Sequence, residues 1–95
     1  MTVFCKGVLQ VEPGAVVHMG SEQTVLCRSY AERCGRQFNI LLNRQPQGPP
    51  QVINCSTVRL RLANTAPRAQ LVCRVTQDGM QHTVCGMVLH SGCKP

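Results

Sequence analysis

The stretch Leu71-Val72-Cys73-Arg74-Val75 decides how this chain folds, together with an earlier run of the same character, Thr24-Val25-Leu26-Cys27. In each, apolar residues recur at every second position, the period of a β-strand with one face turned inward. A cysteine on the inward face of two such strands is expected to meet its counterpart across a core. Cys27 and Cys73 are therefore expected to form one disulfide joining sheet to sheet. In the chain-entropy account, a bridge closing that loop contributes roughly 4 kcal/mol, a large share of a small domain's stability.

The chain has 95 residues, enough for one domain and too few for two, so residues 1–95 are expected to form a single unit. Its aromatics are Phe4, Tyr30 and Phe38, with no Trp. A β-rich core this poor in large side chains buries modest apolar area, and covalent staples help it. Seven cysteines favour an oxidising compartment, and because the number is odd, at least one must stay free or pair outside the chain. No stretch combines a basic start, an apolar run and a small-residue cleavage site, and none is long enough to span a bilayer. The chain reads as part of an ectodomain on the extracellular side of the plasma membrane, or as a secreted protein. Any membrane attachment is expected through a transmembrane segment outside these residues.

Short segments separated by turn chemistry follow one another at a spacing that suits a sandwich rather than a helical bundle. Val8 to Val11 ends at Pro13-Gly14, and Ala15 to Met19 ends at Gly20-Ser21. Thr24 to Arg28 forms the next strand, and Phe38, Ile40 and Leu42 alternate with more polar neighbours in another. Gln45 to Pro50 (QPQGPP) reads as a loop, since its three prolines withhold ladder donors. Val58, Leu60 and Leu62 are expected inward, with Arg59 and Arg61 in solvent. Asn64 to Pro67 is a turn, Gln77-Asp78-Gly79 a hairpin signal, and His82 to Leu89 a last strand with Cys85, Met87 and Leu89 on one side. Cys85 and Cys93 should not bridge each other, because eight extended residues span about 26 Å and bridged Cα atoms lie within roughly 7 Å. Ser91 to Pro95 is expected to start a linker.

The formal charge of +6 arises from ten Lys and Arg residues scattered along the chain without a dense block. Nucleic-acid domains concentrate charge on one face and supply stacking aromatics, which are nearly absent here, so no nucleic-acid partner is expected. An acidic protein or a sulfated glycan fits the charge better, beside the plainer reading of solvated strand faces.

Two strands stapled through a sandwich core make an immunoglobulin-type framework, in which one cystine links strands B and F. The expected fold class is all-β, an immunoglobulin-like sandwich of two antiparallel sheets with an inter-sheet disulfide. The order and spacing of Cys5-x-Gly7, Val11-Glu12-Pro13, Met19-Gly20, Cys27, Cys34, Ile53-Asn54, Arg59-Leu60, Cys73, Val84-Cys85-Gly86 and Ser91-Gly92 resemble the N-terminal immunoglobulin-like domain of tall class I cytokine receptors. That group includes the interleukin-23 receptor, the interleukin-12 receptor beta-2 chain and, more distantly, the signal transducer shared by the interleukin-6 family. The resemblance covers nearly the whole chain.

It implies a binding module furthest from the membrane, contacting a helical cytokine of the interleukin-6/interleukin-12 group in a signalling complex with a co-receptor chain. It implies no enzyme and no cofactor. It also implies that Cys5 pairs with Cys34, beside Cys27 with Cys73. Cys85 then lacks its usual partner shortly after Cys73, where Val75, Thr76 and Gln77 stand, and Cys55 or Cys93 is the expected free thiol. The strand from Phe38 to Leu42 has no core Trp, so Ile40, Leu41 or Leu42 must fill that space, and Leu71 stands where a tyrosine corner would begin.

Asn54-Cys55-Ser56 fits the N-glycosylation sequon, although a middle cysteine is a poor context. Metal binding is the rival chemistry, since His82-x-x-Cys85 and His90-x-x-Cys93 repeat one spacing. In a strand, however, His82 and Cys85 face opposite sides, and a zinc site needs four converging ligands, so no metal is expected. Glu12, Glu22, Glu32 and Asp78 offer no obvious carboxylate pair for acid–base catalysis. The residues expected to touch a cytokine are Phe4 and Lys6, on the terminal segment, with Val88 and His90, on the last strand as an exposed edge. The alternative is a small basic disulfide-rich secreted protein that binds glycans or membrane surfaces by charge.

Overall fold

The computed structural model describes residues 1–31 and 33–92. They form ten strands: β1 (Thr2–Phe4), β2 (Gly7–Glu12), β3 (Val16–His18), β4 (Glu22–Ser29), β5 (Gln37–Leu42), β6 (Gln45–Pro46), β7 (Gln51–Asn54), β8 (Thr57–Ala63), β9 (Arg68–Gln77) and β10 (Met80–Gly92). One sheet runs β1-β2-β4-β8-β7 and the other β3-β10-β9-β5-β6. Cys27 lies on β4 and Cys73 on β9, and the disulfide between them, with Cα atoms 6.5 Å apart, is the expected staple from sheet to sheet.

Pro13-Gly14 is the point where the chain changes layers. Proline cannot continue the ladder, so β2 ends its antiparallel pairing with β4 there, and β3 pairs parallel to β10 in the other sheet. Gln23, fully buried on β4, holds the crossing by donating its side-chain amide to the Gly14 carbonyl at 2.7 Å.

Period-two patterning places the core as expected. Leu71, Cys73 and Val75 are buried, and Ile40, paired beside Cys73, fills the space where a tryptophan is missing. Cys85, Met87 and Leu89 also face inward. Just before them β10 departs from strict alternation, because a bulge between Thr83 and Cys85 lets Val84 turn inward beside Cys85. On β8, Val58 and Leu62 are buried and Arg61 is exposed, whereas Leu60 and Arg59 are only half-buried. Leu60 thus packs against the core without closing into it.

Two tight hairpins organise the second sheet. Asp78 and Gly79 have φ of 53° and 76°, and this two-residue turn lies where Asp-Gly predicted it. The other was not expected: Asn43 and Arg44, with φ of 51° and 67°, turn β5 into β6. The loop expected over residues 45–50 therefore begins as a short edge strand, a place where Pro46 is tolerated because its missing donor faces outward.

The linker expected from Ser91 does not begin there. Ser91 and Gly92 belong to β10 and pair with Val17 and His18, and Ser91 is buried. Its partner is Asn64, whose amide nitrogen donates to Ser91 Oγ at 3.0 Å and to the Ala66 carbonyl at 3.1 Å, while its oxygen accepts from Ala66 N–H. With Leu71 in the core rather than a tyrosine, this asparagine braces the turn before β9.

Candidate binding surfaces

The described residues form three disulfides. Besides Cys27–Cys73 they are Cys5–Cys85 and Cys34–Cys55, with Cα separations of 5.4 and 4.6 Å. The pairing of Cys5 with Cys34 expected from the resemblance is therefore wrong, and so is the expectation of a free Cys55. The reason is local. Lys6 N–H donates to the Val84 carbonyl at 3.1 Å, which lays the Cys5 turn against β10. Ser29 N–H donates to the Ser56 carbonyl at 2.8 Å, which starts the loop carrying Cys34 beside the β7–β8 turn carrying Cys55. Cys93 lies outside the described residues, as do Glu32, Lys94 and Pro95. Three disulfides belong to an oxidising environment, which suits an extracellular or secreted chain. No helix among the described residues is long and apolar enough to cross a membrane.

The residues expected to touch a partner are split by the fold. Phe4 is 71% exposed on β1, because its neighbour Val3 turns toward the core and consecutive strand residues face opposite ways. Lys6 is exposed just beyond it. Val88, half-buried, and His90, exposed, project from the outer face of the other sheet, cross-strand from Gln70 and Arg68. The two segments touch along one flank through Cys5–Cys85, yet their side chains leave from opposite layers.

Nor is β10 the free edge that was expected. Its end is covered by β3, with His90 N–H donating to the Ala15 carbonyl at 2.7 Å, and Lys6 covers Val84. Strand alternation leaves only the backbone groups of Gly86 and Val88 facing outward between those two caps, too short a stretch for an added strand.

Asn54 is exposed at the end of β7, and its side-chain oxygen accepts from Ser56 N–H in the following turn at 2.9 Å. The sequon is on a solvent-facing turn as expected, with its middle residue held in a cystine. Beside it lies a groove of about 870 Å³ between the β6 and β7 edges, floored by Phe38, Pro46, Pro50 and Val52.

The metal reading loses a ligand, since Cys85 is bound to Cys5. Among the described residues no cluster of three His, Cys, Asp or Glu could hold an ion. Glu12 and Glu22 sit on the first sheet and Asp78 in the β9–β10 turn. Sequence reasoning missed a second group of residues: Leu41, Arg44, Gln70, Val72 and Arg74 line one depression on the outer face of the second sheet. The outward phase of Val72 and Arg74 was legible from Cys73, but their neighbours Leu41 on β5 and Arg44 in the β5–β6 turn are set by strand pairing alone.

Compared with known proteins, the chain matches no family model and no curated protein.

Proposed function

We propose that this domain is the cytokine-contacting module of a class I receptor ectodomain at the plasma membrane. It engages a helical cytokine of the interleukin-6/interleukin-12 group and works beside a co-receptor chain. The observation that supports this reading most is Phe4: a large aromatic left 71% exposed on a terminal strand whose neighbour Val3 packs against the core. Exposed aromatic side chains on a rigid support are the usual anchors of protein interfaces. Lys6 follows on a turn stapled to β10 by Cys5–Cys85, so the backbone that carries both residues has little conformational freedom to lose on binding. Asn54, exposed at the end of β7, is the glycan acceptor of this reading.

The test is a full receptor with this domain deleted, and a second with Phe4→Ala and Lys6→Glu. Both should lose cytokine binding and signalling at normal surface expression; unchanged binding by the deleted receptor sinks the reading. The charge of +6 supports a second reading, a secreted glycan binder. Saturable heparin binding that weakens steeply with salt, with no cytokine binding, would establish it instead.

A further inference from the structure

The outer face of the second sheet has an apolar centre and a cationic rim. Across four strands, Gly86 pairs with Val72, Val72 with Leu41, and Leu41 with Pro46, a row without a single polar side chain. Leu41 and Val72 remain half-exposed there, because their neighbours Ile40, Leu71 and Cys73 carry the core. They floor a depression of about 320 Å³ that Arg44, Gln70 and Arg74 border.

Among the described residues no carboxylate answers these guanidinium groups. Among the described residues the one ion pair joins Arg61 to Glu22, on the first sheet, and the other described acids, Glu12 and Asp78, sit on β2 and in the hairpin turn. Arg74 reaches only Gln81 Oε1, at 3.5 Å. Arg44 is held beside the depression at some conformational expense, since its φ of 67° lies in the left-handed region that disfavours a side chain by roughly 1 kcal/mol.

We propose that this face docks an acidic protein surface, one that inserts an apolar side chain over Leu41 and Val72 while flanking carboxylates engage Arg44 and Arg74. The inference rests on the domain's being a binding module and names the partner's chemistry. An apolar centre ringed by arginine is the composition of a protein interface. A sulfated glycan has nothing to bury in the floor, and a second copy of this chain would bring its own cations against these.

The probe is the synthetic peptide Asp-Glu-Leu-Glu-Asp, titrated into the isotope-labelled domain and followed by NMR. Amide shifts should concentrate at Leu41, Val72 and Arg74, and the peptide Ser-Gly-Leu-Gly-Ser should leave them unmoved. Combining Arg44→Gly with Arg74→Gln should weaken binding by about tenfold or more. Arg44→Gly by itself should also weaken it while holding or raising the thermal midpoint, since glycine accepts that backbone conformation. Loss of binding then cannot be loss of fold. Shifts confined to the first sheet overturn the proposal. So does a heparin hexasaccharide that binds this face when the peptide does not, or self-association that the same substitutions abolish. In the full receptor, cytokine binding lost with Phe4→Ala but intact with the arginine pair replaced overturns this face alone. Peptide binding here, with domain deletion harmless to cytokine binding, supports the face and removes the receptor reading.

Discussion

Gly7 and Val84 approach so closely that a Cβ on Gly7 would stand 2.6 Å from the Val84 side chain, and closer still to the Arg28 carbonyl oxygen. Real side chains do not tolerate that spacing. The contact follows from the bulge that turns Val84 inward, so the first sheet can close on the second only where β2 begins without a side chain.

Gly7→Ala should accordingly destabilise the domain by about 2–4 kcal/mol, because backbone rather than a flexible side-chain end blocks the methyl group. Urea unfolding of the purified domain measures it. Gly14→Ala, where the added Cβ meets nothing within 4 Å, is the control and should change stability far less.

A non-reducing peptide map should return Cys5–Cys85, Cys27–Cys73 and Cys34–Cys55. Replacing Cys34 and Cys55 together by serine opens a loop of sequence separation 21, against 80 for Cys5 with Cys85. The chain-entropy model gives losses of about 3 and about 4–5 kcal/mol respectively. Loss of Cys34–Cys55 should therefore lower the unfolding midpoint less than loss of Cys5–Cys85, and recovery of a Cys5–Cys34 peptide would contradict the described pairing.

On β8 the three apolar positions are not equivalent. Leu62→Ala should cost about 2–5 kcal/mol, as expected for a buried leucine, and Leu60→Ala distinctly less, since Leu60 is only half-buried. Arg61→Ala should stay within about 0.5 kcal/mol, because its 3.9 Å pair with Glu22 is exposed on both sides. Equal losses at 60 and 61 in denaturant melts would show that the strand's register is wrong.

Asn64→Ala should destabilise by about 2–3 kcal/mol, since it strips the brace from the turn before β9 and leaves the buried Ser91 hydroxyl without its donor. Amide exchange is the sharper readout. The loss should speed exchange at Ser91, whose N–H donates to the Pro67 carbonyl, before it speeds exchange at Val25 in the core.

Much of the sandwich was legible because it rests on local rules. Alternation identified the inward faces around Cys27 and Cys73, Pro13-Gly14 marked the break between β2 and β3, and Asp78-Gly79 marked the last hairpin. These signals depend on a residue and its near neighbours. The Asn43-Arg44 turn escaped because arginine is a poor left-handed residue, and its conformation is imposed by the pairing of β5 with β6.

What the sequence determined by itself was the strand period, the sheet-to-sheet staple and an oxidising environment, each following from residue type and spacing along one strand. Tertiary structure alone decided which segments lie side by side, and so paired Cys5 with Cys85 and Cys34 with Cys55. It also sent Phe4 and Val88 to opposite layers, and gathered Leu41, Val72, Arg44 and Arg74 onto one face. Contacts between strands far apart in the chain depend on sheet order and register, and alternation within one strand carries no record of which strand lies beside it.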